Sequence, residues 1–207
     1  MRAPRLGRPR DRAGHAAGHT ADANIDALQH EIEDKAVNTI ARRQPMAVDL
    51  REIVSALRVA NDLERIGDLA KNIAKRVAAI PGDFHPQKLI RGVEHMAAMV
   101  LGQLKQVLDG YAGHDLDKAL AVWRGDEEVD AMCTSLFREL LTYMMEDPRN
   151  ITFCIHLMFC AKNIERMGDH ATNIAETVYY MIEGQAIPDQ RPKGDDTTAF
   201  AAAMLQS

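Results

Sequence analysis

Glu64, Asp68 and Asn72 follow one another at intervals of four. On a helix they form one row of oxygen-bearing side chains spanning about 80° of its surface. Glu165, Asp169 and Asn173 form the same row 101 residues later. Each row has an upstream companion, Asp22 with Asp26 and Asp126 with Asp130, again four residues apart. Four carboxylates gathered from two neighbouring helices repel one another unless cations neutralise them. Oxygen ligands of this kind suit magnesium, manganese, iron or zinc, with water in the open positions. The bland alternative is a solvated charge stripe, since each row faces away from the apolar seam of its own helix. Against it, the acids are matched between the two rows while several of their neighbours are not. Leu69 is matched by His170, Lys71 by Thr172 and Lys75 by Glu176.

Those rows sit inside an internal repeat. Residues 60–77 read ANDLERIGDLAKNIAKRV and residues 161–178 read AKNIERMGDHATNIAETV, with ten of the eighteen positions identical. The apolar seams repeat as well. Val59, Leu63, Ile66, Ala70, Ile73 and Val77 step by fours and threes, and Cys160, Ile164, Met167, Ala171, Ile174 and Val178 follow the same course. Such a stripe packs a helix along one side against partner helices. The helices that precede them correspond at an offset of 104, where Ile25, Leu28, Ile32 and Ile40 align with Val129, Met132, Leu136 and Met144. The mid-helix glycines Gly67 and Gly168, unfavourable by about 1 kcal/mol each, imply close approach of a neighbouring helix.

The positioning elements are all helical, because nothing alternates with period two over a strand's length. The spacing predicts a first helix from Asp22 to Gln44-Pro45. A second is capped by Asp49 with Glu52 and reaches Ala79, and a third runs from Pro86 to Leu108. A fourth is capped near Asp115 and continues towards Met145, and a last is capped by Asn150 and closed by Gly184. This divides the chain into an Arg/Gly/Pro/His-rich segment 1–20 without expected order, a two-helix unit 21–82, a three-helix unit 83–184 and a tail 185–207. The third helix of the first unit has no counterpart before Asp22, so the seam through Leu63, Ile66 and Ile73 should lie open as an apolar groove.

Composition narrows the function. Lys and Arg number 25 against 30 Asp and Glu, a net charge of −5, and because the Arg-rich first twelve residues carry +4 the remainder carries −9. The remaining body is acidic, which disfavours nucleic acid. No apolar run is long enough to span a membrane and no signal peptide opens the chain, so a cytoplasmic setting is expected. Cys133, Cys154 and Cys160 lack metal-ligand spacing and read as small buried thiols. The residues present no nucleophile–base set, no phosphate loop and no Glu followed three residues later by His, which speaks against an enzyme and against an oxidative di-iron site.

With DLERIGDLAKNIAKR, IERMGDHATNIAE and RRQPMAVDLREIVSALR in view, the sequence resembles the PhoU family from about Asp22 to Gly184. The resemblance implies an all-α protein of two tandem antiparallel three-helix bundles. It implies metal clusters on Asp22/Asp26 with Glu64/Asp68 and on Asp126/Asp130 with Glu165/Asp169, Asn72 and Asn173 being further candidates. It also implies a negative regulator of phosphate uptake and phosphate-starvation signalling, frequently a homodimer. Such a regulator touches the ATPase of the phosphate ABC transporter and a membrane-bound sensor histidine kinase. Full members have another helix before Asp22, which residues 1–20 do not resemble. The alternatives are a metal-dependent phosphoester hydrolase and a structural bundle without metal.

Overall fold

Long amphipathic stripes at helical spacing require partners, and the chain supplies them to itself. A computed structural model describes residues 10–80 and 87–188, with side chains from residue 24 onward. Its helices are α1 (Arg10–Arg43), α2 (Val48–Ala79), α3 (Gln87–Gly113), α4 (Leu116–Arg124), α5 (Asp126–Glu146) and α6 (Ile151–Glu183), with a short 3-10 turn at Pro148–Asn150. Among the described residues there is no strand. No described helix is long and apolar enough to cross a membrane.

The two repeated helices, α2 and α6, lie against each other and run antiparallel. Arg58 meets Tyr180 at one end and Arg76 meets Phe159 at the other. Between them Val59 and Ile66 pack with Ala171, Ile174, Ala175 and Val178, joined by Val107 of α3 and Trp123 of α4. A second group, Met96, Val100, Val129, Cys133, Leu136, Ala161 and Ile164, ties α3, α5 and α6 together. Leu89, Leu140, Phe153, Cys154 and Leu157 close the far end of that unit. All three cysteines are buried and form no disulfide. Burial pushes the thiols of Cys154 and Cys160 up from their ordinary values.

The element ends differ from the sequence reading in four places. α1 begins at Arg10, so residues 10–20 are its first turns rather than unstructured chain. Ala13, Ala16, Ala17, Ala21 and Ala23 are the strong helix formers that the glycines and histidines between them obscured. Residues 1–9 and 189–207 lie outside the described residues. Asp49 does not cap α2. The cap position is Ala47, whose φ of 50° turns the chain, and Asp49 falls in the first turn, where its charge still complements the positive helix end. Asn150 makes no side-chain cap for α6. Pro148 starts a 3-10 turn upstream, and Asp147 caps that turn by accepting from the Arg149 amide at 3.0 Å.

The fourth difference is the break that separates α4 from α5. The Gly125 amide donates to Ala121 and Val122 at 3.1 Å each, while its carbonyl accepts from Gln103 Nε2 at 2.9 Å. A Cβ there would stand 3.1 Å from that nitrogen, so a larger residue would push the Gln103 side chain back by a few tenths of an ångström. At this break Asp126 opens α5, with its carboxylate at a helix N-terminus. Two expected helix boundaries are in place. Asp115 caps α4 by accepting from the Lys118 amide at 3.1 Å, and Gly184 ends α6 with φ of 74°.

Among the described residues the first unit comprises α1 and α2. α1 makes its substantial contacts with α2, and Ala36 is its one buried apolar residue among those described. Leu28 stays 57% exposed and Val37 65%. Between α1, α2 and α3 runs an apolar groove of about 470 Å³, lined by Ile25, Leu28, Ile32, Leu63, Ile66 and Leu101 among others. In the second unit α3 covers the corresponding side of α6, with Leu89, Met96, Val100 and Val107 fully buried. A helix carrying that apolar register, fused ahead of α1, is expected to raise the melting temperature and to reduce both self-association and binding of an apolar dye. An unchanged melting temperature would mean that the groove is already filled.

Candidate functional site

The acidic rows end in two unlike environments. In the second unit α6 is enclosed by α2, α3, α4 and α5, so its row is not on the solvent side as its spacing implied. Asp126 is 3% exposed, Asp130 7% and Glu165 6%. Thr172 Oγ1 donates to Asp126 Oδ1 at 3.0 Å, and Lys162 Nζ lies 2.7 Å from Glu165 Oε1. The other oxygen of Glu165, Oε2, is buried without a hydrogen-bond partner. Desolvation raises the Glu165 carboxyl group above its ordinary range, Lys162 opposes this, and the charges of Asp169 and Asp130 reinforce it. Asp130, Glu165 and Asp169 therefore share one electrostatic neighbourhood at the α5–α6 contact. Asn173, one turn on, lines a cleft between α2 and α6.

In the first unit the matching residues face water. Asp26 is exposed, Asp68 is 45% exposed, and Asn72 is exposed. Glu64 is half-buried, and desolvation raises its carboxyl group while Asp68 and Asp26 push the same way. Arg65, 3.5 Å from Glu64, and Lys71, 3.7 Å from Asp68, offset part of the charge. The side chain of Asp22, on α1, lies outside the described residues. The glycines also part company. A Cβ on Gly67 would stand 3.2 Å from Ile25 Cδ1, a tight helix approach. On Gly168 it would meet Val129 and Val100 at 3.5 and 3.6 Å, which is ordinary contact and corrects the expectation of a close approach there.

As donors these groups fit a cation in kind, being hard oxygens with one buried acceptor, Glu165 Oε2, left without a donor. The second-unit residues that would hold it are Asp126, Asp130, Glu165 and Asp169. They do not form a finished coordination sphere, since among the described residues no three His, Cys, Asp or Glu side chains converge tightly enough to hold one ion. Sequence reasoning missed Lys162 and Thr172, which engage the acids of the second unit. Their counterparts in the repeat are Asn61 and Lys71, so the duplication gave no signal for them.

Two tandem helical units, joined through their repeated helices and each presenting paired acids, define an all-α repeat protein with a duplicated acidic site. Residues 16–77 and 93–178 match the PhoU domain, and the chain belongs to the PhoU family. It is 60% identical over 181 residues to the phosphate-specific transport system accessory protein PhoU homolog of Rhizobium meliloti, covering 87% of this chain and 76% of that one. It is 53% identical over 174 residues to the protein of the same description in Caulobacter vibrioides, covering 84% and 76%. The crystal structure of PhoU from Pseudomonas aeruginosa superposes with a TM-score of 0.76 at 37% identity, over 83% of this chain and 82% of that one. A phosphate transport system regulatory protein PhoU from Streptococcus pneumoniae gives 0.75 at 25% identity, over 84% and 82%.

The raised Glu165 carboxyl group has a consequence for stability. Its proton is held more tightly in the fold than in the unfolded chain, where the ordinary value is 4.5. The contribution of this residue is thus most favourable below the unfolded value and is lost as pH rises through the folded one. In chelator, Glu165→Gln should melt above the parent at about pH 7, and the difference should shrink towards about pH 4. A difference independent of pH, read by circular dichroism, would place Glu165 in water-like surroundings.

Proposed function

We propose that this chain is a metal-binding regulatory adaptor, a negative regulator of phosphate uptake and phosphate-starvation signalling. It acts by contact with the ATPase subunit of a phosphate ABC transporter and with a sensor histidine kinase, as a homodimer and without catalysis. Family membership supports the setting, since its relatives are named accessory proteins of the phosphate-specific transport system. The observation that carries the metal reading is the duplicated acidic row, one copy of which ends in a buried carboxylate oxygen without a donor.

The residues themselves do the following. Thr172 orients Asp126 at the start of α5. Lys162 holds one oxygen of Glu165 and partly offsets its charge. Asp130 and Asp169 add negative potential to the same contact. A bound divalent or trivalent cation would supply the missing positive charge and tie α5 to α6. The first unit, with Asp26 and Asp68 open to water and Glu64 only partly covered, would hold its ion more weakly.

Glu165→Gln/Asp169→Asn should lower metal content by about the share of one cluster. It should also remove that cluster's share of the thermal stabilisation conferred by added manganese, iron or zinc, about 2.7 kcal/mol when free metal is 100-fold above its dissociation constant. An equal response of parent and variant to every metal would reduce the clusters to charge stripes. For the partners, a pull-down from cells at high and low phosphate should recover the transporter ATPase and the kinase, more strongly when phosphate is ample. Recovery of neither under both conditions would sink the adaptor reading.

A further inference from the structure

A polar cleft of about 400 Å³ lies where the N-terminal half of α2 meets the C-terminal half of α6, with Asn173 at the end of the second acidic row in its lining. Its walls include Arg58, Asp62, Glu176, Thr177, Tyr180 and Ile187. The two acids among them are already engaged. Asp62 Oδ1 is hydrogen-bonded to His170 Nδ1 at 2.8 Å, and Glu176 Oε1 accepts from Trp123 Nε1 at 3.3 Å. The cation is not. The Arg58 guanidinium lies over the Tyr180 ring, 5.1 Å from its centre, and none of its N–H groups meets an acceptor among the described residues. Stacking engages the flat face of a guanidinium, whose edge is a fork of parallel donors.

We propose that this cleft binds a carboxylate. The Arg58 fork matches a planar carboxylate in two parallel hydrogen bonds, and the hydroxyls of Thr177 and Tyr180 are further donors on the opposite wall. Asp62 and Glu176 add negative potential that opposes any anion, and it opposes a phosphate dianion more than a single carboxylate charge. Ile187 and the Tyr180 ring offer an apolar surface to a short carbon stem. Arg58 belongs to the first unit and Thr177 and Tyr180 to the second, so a bound carboxylate bridges the two repeats. The group is supplied by a free organic acid or by an acidic side chain of a protein partner.

The molecule carries its own reporter, because Trp123 is the one tryptophan of the chain and donates to Glu176 in the cleft wall. Tryptophan emission and melting temperature of the full chain are followed against blocked glutamate (N-acetylglutamate amide), its glutamine analogue, succinate and inorganic phosphate, all in chelator. The carboxylates are expected to give a saturable response at millimolar concentration and the glutamine analogue none. Arg58→Gln, at an exposed position, should fold normally and weaken carboxylate binding at least about tenfold, with Arg58→Lys between the two. Tighter binding of blocked glutamate identifies a partner side chain as the source, and tighter binding of succinate a free acid; either upholds the proposal. Carboxylate binding unaffected by Arg58→Gln, a response to phosphate alone, or no carboxylate response in either measurement overturns it.

Discussion

The antiparallel packing of α2 on α6 is the contact that the rest of the molecule depends on. Each helix brings one repeat to it, so the two units share a core instead of standing side by side. Close packing along the seam follows from residue size. Ala171 and Ala175 are fully buried on α6 and leave room for Val59 and Ile66 of α2. Polar groups complete the seam where apolar ones stop. The Asp62–His170 pair crosses it directly, and Arg58 and Arg76 cover the aromatic rings at its two ends. Because α3, α4 and α5 all pack on α6, their positions are inherited from this one contact.

That arrangement makes the duplication unequal. Ala70 and Val77 of the first seam are exposed, whereas their counterparts Ala171 and Val178 are fully buried. The acids follow the same division, with Glu165 inside the α5–α6 contact and Glu64 only partly covered. A carboxylate in a low-dielectric contact meets a larger desolvation cost and stronger repulsion from its neighbours than the same group at a surface. The second site therefore has more to gain from a cation than the first, although their motifs are almost the same. Lys162 supplies one positive charge on the spot, and Asn61 at the matching place in the first unit cannot.

Much of the design was legible in the residues. Period and punctuation carried the all-helical fold, the Asp115 cap and the Gly184 stop, and the repeat carried the pairing of acidic rows. Family membership was readable from the doubled Glu-x-x-x-Asp signature with Gly before the Asp. The misread ends have specific causes. Ala47 takes a positive φ that residue type does not announce, and the break at Gly125 is where Gln103, 22 residues upstream, donates to its carbonyl. Local sequence cannot report a bond made at that distance.

The sequence by itself determined which residues recur, which stripe of each helix is apolar and where paired carboxylates stand on it. These are one-dimensional properties, set by the 3.6-residue period and by the chemistry of each side chain. Only the tertiary structure decided which of two near-identical rows is buried, which oxygen of Glu165 is left without a donor, and that Arg58 faces a cleft. Burial is a property of everything packed around a helix, and here α6 has four neighbouring helices while α2 has α1, α6 and an open groove. The same motif thus acquires different energetics in its two copies.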